Sequence, residues 1–278
     1  MRKPFGRIEM RACAWLAGLL LAAAPAFAYT TLAPRPDGDV PHDNQVWFGI
    51  EFGVGSGRSY FAAARSSSAT MTRLNFNDDF RSSDAIGNII PSFHVVMGRY
   101  FHFETSALLQ FDQQSSATLS RTVTFDNQVF PSGNRVRAKD DFYAWNFDFL
   151  YGVIEDPRNG SFRLGAGFVV QGARSALKDL TAGSPEVSES LTVVLPEVVA
   201  EGELVLDPRW VRLYARAEAG GLDNGYNFGA TAGVLLRPDR HFEFSFHLRA
   251  YTAGVMDPNS YTHYNNYLGA GIQFIWSV

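Results

Sequence analysis

Residues 141–153 read DFYAWNFDFLYGV, with Tyr143, Trp145, Phe147, Phe149, Tyr151 and Val153 at every second position. Ala144, Asn146, Asp148, Leu150 and Gly152 lie between them. A period of two is that of an extended strand, whose successive side chains point to opposite faces. A face of five aromatics and a valine has to leave water. In one solution it packs on a core and the polar face meets solvent. In the other it meets lipid, and the polar face lines the inside of a closed barrel. One strand does not separate the two, so the rest of the chain has to.

Ten segments repeat the pattern, at 46–54, 92–98, 103–112, 141–153, 162–171, 196–204, 211–218, 227–236, 242–251 and 267–278. Their length is close to the nine to eleven tilted residues that cross a bilayer. Short connections at 99–102, 155–160, 207–210 and 237–241 are rich in the Asp, Pro, Asn, Gly and Arg of tight turns. They alternate with long ones at 57–88, 113–140, 172–191 and 252–264, apart from a short one at 222–225. Short turns on one side and long loops on the other are the pattern of an outer-membrane barrel. The expectation is all-β: a transmembrane antiparallel up-and-down β-barrel of about ten strands (eight to twelve), with lipid outside and the lumen inside. An even count puts both termini in the periplasm. A secreted β-sandwich or lipocalin-like barrel is the soluble alternative. Residues 70–76 are a further extended segment, read as part of an outer hairpin.

The start of the chain carries an export signal. Arg2, Lys3, Arg7 and Arg11 precede an apolar run from Trp15 to Ala24, and Ala26-Phe27-Ala28 is a small-x-small cleavage site. This divides the chain into a signal peptide at 1–28, a short periplasmic segment at 29–44 and the barrel at 45–278. The leader carries four basic residues and Glu9, so its removal takes the formal charge from −4 to −7. An acidic chain is a poor partner for nucleic acid. The single cysteine, Cys13, lies in the leader, so the exported part can form no disulfide, thiolate metal site or cysteine nucleophile.

The stretch ATLSRTVTFDNQVFPSGNRVRAKDDFYAWNFDF, residues 117–149, resembles a broad set of uncharacterised bacterial outer-membrane β-barrel proteins. There a strand leads into an LSRTVTF…FPSGNRV hairpin and then a charged strand. The likeness extends over most of 86–276 and implies fold and location. Barrels of this kind commonly end in Phe or Trp, whereas this chain ends Trp276-Ser277-Val278, keeping the outward parity with Val last.

The parity also says what lines the lumen: Glu51, His94, Glu104, Asp148, Arg163, Glu197, Glu201, Glu203, Arg212, Arg216, Glu218, Glu243, His247 and Arg249. Charges withdrawn from water have to be paired, so these residues form an expected lumen charge network, with Glu197, Glu201 and Glu203 facing Arg212 and Arg216 across one ladder. Such a network either plugs and stiffens the barrel or forms a constriction that selects small solutes. With both signs interspersed, strong anion or cation selectivity is not expected.

Catalytic, cofactor and metal sites are not expected. Omptin proteases use an acidic pair and an Asp-x-His at the rim. Asp78, Asp79, Asp257 and His263 offer the residue types without the spacing. A lipid-modifying His-x-Ser site would need the reverse of Ser245-x-His247, on an outer-facing strand top. His94 and His247 are a conceivable metal pair, but two histidines are more often members of a polar network. Aromatics by the short turns, including Tyr100, Phe101, Tyr151, Phe162, Trp210, Phe242 and Trp276, read as the inner girdle. Tyr60, Phe61, Tyr261, Tyr264 and Tyr267 read as the outer one.

The functional expectation is therefore a Gram-negative outer-membrane barrel with a structural or surface-interaction role and a charged, largely filled lumen. A narrow porin-like pore for small polar solutes is the alternative, and a rim-located hydrolase comes third. Expected partners are outer-membrane lipid or lipopolysaccharide and, during biogenesis, the barrel-assembly machinery, with an extracellular ligand left open.

Overall fold

The computed structural model of the protein describes residues 45–63, 72–98, 100–110, 113–156, 158–207, 210–239, 242–257 and 260–277. The expected leader and the segment 29–44 lie outside them, as do Arg99, Phe111, Asp112 and Val278. The elements in order are β1 (Gln45–Ala63), β2 (Leu74–Asn75), α1 (Phe76–Phe80), β3 (Ala85–Met97), β4 (Phe101–Gln110) and β5 (Gln113–Thr118). Then come β6 (Val123–Phe125), β7 (Gln128–Phe130), β8 (Arg135–Asp156), β9 (Gly160–Asp179) and β10 (Val187–Asp207). The last are β11 (Val211–Leu222), β12 (Gly225–Asp239), β13 (Phe242–Asp257) and β14 (Tyr261–Ser277).

Ten of these strands, β1, β3, β4 and β8 to β14, form a closed antiparallel barrel. Each pairs with its neighbour in the chain, and β14 returns to β1 from Trp47 opposite Ser277 to Ala63 opposite Tyr261. Closure leaves no unpaired edge. β5 continues the line of β4 against β8, while β6 and β7 form a separate hairpin.

Along β8 the burial alternates strictly from Arg135 to Val153. Tyr143, Trp145, Phe149, Tyr151 and Val153 are exposed, while Ala144, Asn146, Asp148 and Leu150 are buried. The same parity exposes Phe52 and Val54 on β1, Phe246 and Leu248 on β13, and Leu268, Ile272 and Phe274 on β14. Glu51, Glu197, Glu201 and Glu243 are buried. An apolar exterior wrapped around buried carboxylates is the inverse of a water-soluble protein and the form of a transmembrane barrel.

The long connections expected from sequence prove to be largely strand. β8 has 22 residues, about 70 Å of chain at ~3.3 Å per residue, far more than a bilayer crossing needs. Its stretch from Arg135 to Asp140 falls in what reads as a loop at 113–140. Likewise β9 runs to Asp179, β10 starts at Val187, and only a tight turn separates Asp257 from Tyr261. The ladders continue beyond the membrane, and both faces change character as they do. Inward positions become apolar (Val136, Ala138, Phe142, Ala173, Leu177, Ala253, Val255) and outward ones polar (Arg135, Arg137, Lys139, Arg174). The protein is inside-out in the bilayer and conventional above it.

Those inward residues surround a hydrophobic core in the long-loop half of the lumen. The connection between β1 and β3 folds into it: Leu74, Phe76 and Phe80 are fully buried, and β2 pairs with Tyr60 and Phe61. Val123, Phe125 and Phe130 of the β6–β7 hairpin are fully buried beside them. Phe61 packs edge-on to Phe125 at 5.7 Å between centroids and parallel to Phe80 at 6.3 Å. Polar contacts hold the cap down. Asn75 caps α1 through the Asn77 and Asp78 amides, Asn77 Nδ2 donates to Gly57 O and Asp84 Oδ1, and the Asp126 amide donates to Ala63 O at 3.0 Å.

Candidate functional site in the charged lumen

At the other end, where the short turns and the ends of β1 and β14 lie, the lumen is polar and partly open. A cavity of about 350 Å³ reaches the turn residues Gly98, Asp156 and Gly160 and rises to Ile90, Arg216 and Thr231. It is lined by residues from all ten barrel strands, most of them at inward positions.

Arg216 on β11 is the hub. Its Nη1 lies 2.5 Å from Glu104 of β4 and 3.4 Å from Glu201 of β10, its Nη2 bonds Asp148 of β8, and its Nε lies 3.3 Å from Glu218. Arg163 on β9 forms a second centre, with Glu155 at 2.7 Å, Glu201 at 2.6 Å and Glu203 at 3.6 Å. Arg212 joins Glu203 at 2.9 Å. Glu51 takes Arg249 at 2.9 Å and His247 at 3.1 Å, and Arg237 pairs with Glu243. Glu197 accepts from Asn146 and Asn227. All fourteen residues of the charge network read from sequence thus lie in this lumen, and Glu201 and Glu203 meet the arginines of β11 directly.

Three members were placed in turns by the sequence: His102, Glu155 and Arg237. His102 bridges Glu155 at 3.1 Å and His94 at 3.0 Å. Arg237 is the simplest omission, since it extends the inward row Gly233, Leu235 by two residues. Glu155 could not be found by counting. A bulge between Gly152 and Ile154 shifts the β8–β9 register and turns an odd-numbered residue inward, opposite Ser161.

Nine carboxylates of this lumen face five guanidiniums and three imidazoles, the contacts above supplying the count. The guanidiniums are enclosed by carboxylates instead of forming a row, so no ladder of like charge leads along the axis. Such a lattice resists change: each arginine ties two or more strands together, and withdrawing Arg163 or Arg216 strands several buried anions at once.

The other candidates separate in space. His94 meets His102 and Glu104, while His247 meets Ser245 and Glu51, so the two histidines do not converge. Among the described residues no group of three His, Cys, Asp or Glu is arranged to hold a metal. Ser245, His247 and Glu51 form a hydrogen-bonded chain, with Ser245 Oγ 3.2 Å from His247 Nδ1. Its flanking backbone is committed to the ladders with β12 and β14, leaving no convergent amide pair of the sort that stabilises an oxyanion.

The four omptin-type residues do not assemble either. Asp79 accepts from the Asn75 amide and Arg121, Asp78 bonds Asn75, and Asp257 accepts from Ser260. His263 is fully buried under the cap, where it bonds both oxygens of Asp140 at 3.1 Å and stacks on Phe142. Ser175 and Tyr261 complete that enclosed polar island.

No family model and no curated protein matches the sequence. Solved structures do match the fold. The outer membrane protease OmpT from Escherichia coli superposes with a TM-score of 0.52 at 9% identity, covering 90% of this chain and 99% of that one. The transport unit of the autotransporter AIDA-I from Escherichia coli gives 0.40 at 10% identity, over 95% and 99% of the two chains. The outer membrane protein OprG from Pseudomonas aeruginosa gives 0.39 at 9%, over 86% and 99%. At these identities the likeness is one of fold, that of a bacterial outer-membrane β-barrel.

Proposed function

We propose that the protein is a sealed outer-membrane barrel with a structural and surface-interaction role, anchoring and presenting its outer strand extension instead of conducting solutes. The observation that carries this is the hydrophobic core across the long-loop half of the lumen. Leu74, Phe76, Phe80, Val123, Phe125 and Phe130 have no exposed surface there. They are packed among inward residues of β8, β9, β10, β13 and β14. Protein interiors of this kind are close-packed and hold no continuous water. The charged cavity below is then a blind vestibule facing the periplasm, braced by its ion pairs.

The alternative of a narrow solute path would need that core to move aside. The test is single-channel conductance of the refolded chain, residues 29–278, in a planar bilayer. A silent membrane is expected, with folding verified by the mobility shift of the unheated protein on a gel. Discrete, reproducible openings would overturn the proposal and make the vestibule a constriction.

A further inference from the structure

The outer extension carries a second charged feature, on its outside. β8 presents Arg135, Arg137 and Lys139 on the same face as the lipid-facing Tyr143 and Trp145. β9 presents Arg174 and Lys178 beside them, with Arg137 opposite Lys178 and Asp141 opposite Arg174. Five cations on two adjacent strands stand out in a chain whose formal charge is −4. Two carboxylates share the surface, Asp141 and Glu186. Glu186 reaches Arg137 at 3.4 Å and Lys139 at 3.3 Å. Arg135, Arg174 and Lys178 make no ion pair with another described residue. The far side of the barrel at this level carries Arg58 and Arg73, the latter stacked over Tyr60 and Tyr264, among the uncharged Tyr226, Thr252 and Asn266.

The height of the patch says what it meets. Arg174 lies two residues, Lys139 four, and Arg137 and Lys178 six beyond the level of Tyr143. At ~3.3 Å per residue and a tilt of about 45°, that is about 5, 9 and 14 Å above the ring, and the long side chains of the upper positions reach back toward a polar zone roughly 5–8 Å deep on each side of the hydrocarbon. Tyr143 marks the boundary, lying over Gly172 with its hydroxyl 2.7 Å from Thr192 Oγ1. Cations just above an aromatic belt, and facing outward, meet the headgroups of the surrounding leaflet. We infer that Arg137, Lys139, Arg174 and Lys178 form a binding site for the phosphates of a lipid headgroup on the outer side of the membrane, whose acyl chains lie along the aromatic face of β8 and β9.

This rests on the outer-membrane reading but not on the barrel being sealed, so the conductance result does not bear on it. The test is native mass spectrometry of the detergent-refolded chain with added diphosphorylated lipid A. The comparison protein carries Arg137→Ser, Lys139→Ser, Arg174→Ser and Lys178→Ser. Each such residue near an anionic surface contributes roughly fivefold, so the fourfold variant should retain the lipid roughly 600-fold less well. Lipid A stripped of both phosphates should bind the unaltered protein as poorly. Millimolar inorganic phosphate should not displace the lipid, and full displacement would reassign the patch to free phosphate. Equal retention by the variant, or of the phosphate-free lipid, would overturn the site. If the fourfold variant does not fold, Glu186→Gln keeps the question open to test. Removing the local carboxylate should strengthen lipid A retention severalfold, and no change would count against the site.

Discussion

Replacing Arg216 by Met tests whether the lumen lattice holds the barrel together. The guanidinium touches Glu104, Asp148, Glu201 and Glu218, which come from four strands, and Asp148 is only 1% exposed. Methionine keeps the aliphatic stem and removes the charge, leaving four carboxylates facing one another around the gap. Removing one partner of a buried ion pair costs about 3–5 kcal/mol. Here several pairs share one cation, and water from the cavity beside it relieves part of the penalty, so about 3–5 kcal/mol is the expected loss. The assay is equilibrium unfolding in urea from lipid vesicles, followed by tryptophan fluorescence. Arg216→Lys should recover part of the loss, because an ammonium restores the charge but not the fork that reaches several carboxylates at once. In a sealed barrel the bilayer stays silent for all three proteins. A Met variant within about 0.5 kcal/mol of the unaltered protein would refute the idea that the network carries stability. A conductance that appears in the Met variant while stability holds would make Arg216 a gate.

Other predictions concern the outer end. Phe125→Ala removes a fully buried ring that packs edge-on to Phe61 and should cost about 3–5 kcal/mol. Limited proteolysis should read it as faster nicking within 123–130, and unchanged protection would mean that the hairpin is not seated by that ring. Asp179, at the outer end of β9, accepts from the Thr181 and Ala182 amides at 2.9 Å and from Asn134 at 2.7 Å. The Ala182 amide foremost, then Asn134 and Thr181, hold its carboxyl below the ordinary range against the opposing effect of burial. Its stabilisation is therefore complete above the unfolded carboxyl's pKa of about 3.9 and is lost as pH falls through the lower folded value. Hydrogen exchange at Thr181 and Ala182 should accelerate over that acid range in the unaltered protein and be fast at all pH values in Asp179→Asn. A profile unaffected by the substitution would remove Asp179 as the anchor of the turn.

Much of the barrel is legible in the chain because the period-two alternation is a local property. A residue's face follows from its neighbours two positions away, and the row from Tyr143 to Val153 could only meet lipid or a core. The fourteen lumen residues follow from the same count. Two things escaped it. The alternation does not stop where the membrane does: Val136 and Ala138 continue the inward row with the chemistry reversed, and a strand cut to bilayer length assigns them to a loop. The bulge near Val153 changes parity without any mark in composition, which hid Glu155.

Sequence by itself determined that the chain is a strand-built membrane barrel and which face of each strand looks inward. Only the tertiary structure decided who meets whom. Arg216 finds Glu104 from 112 residues away and Asp148 from 68. β14 closes on β1, and residues of the connections before β3 and β8 pack into a hydrophobic core at one end. Those contacts depend on strand stagger and tilt around the whole circumference, which no local pattern encodes. The depth at which the lumen turns from charged to apolar depends on them as well.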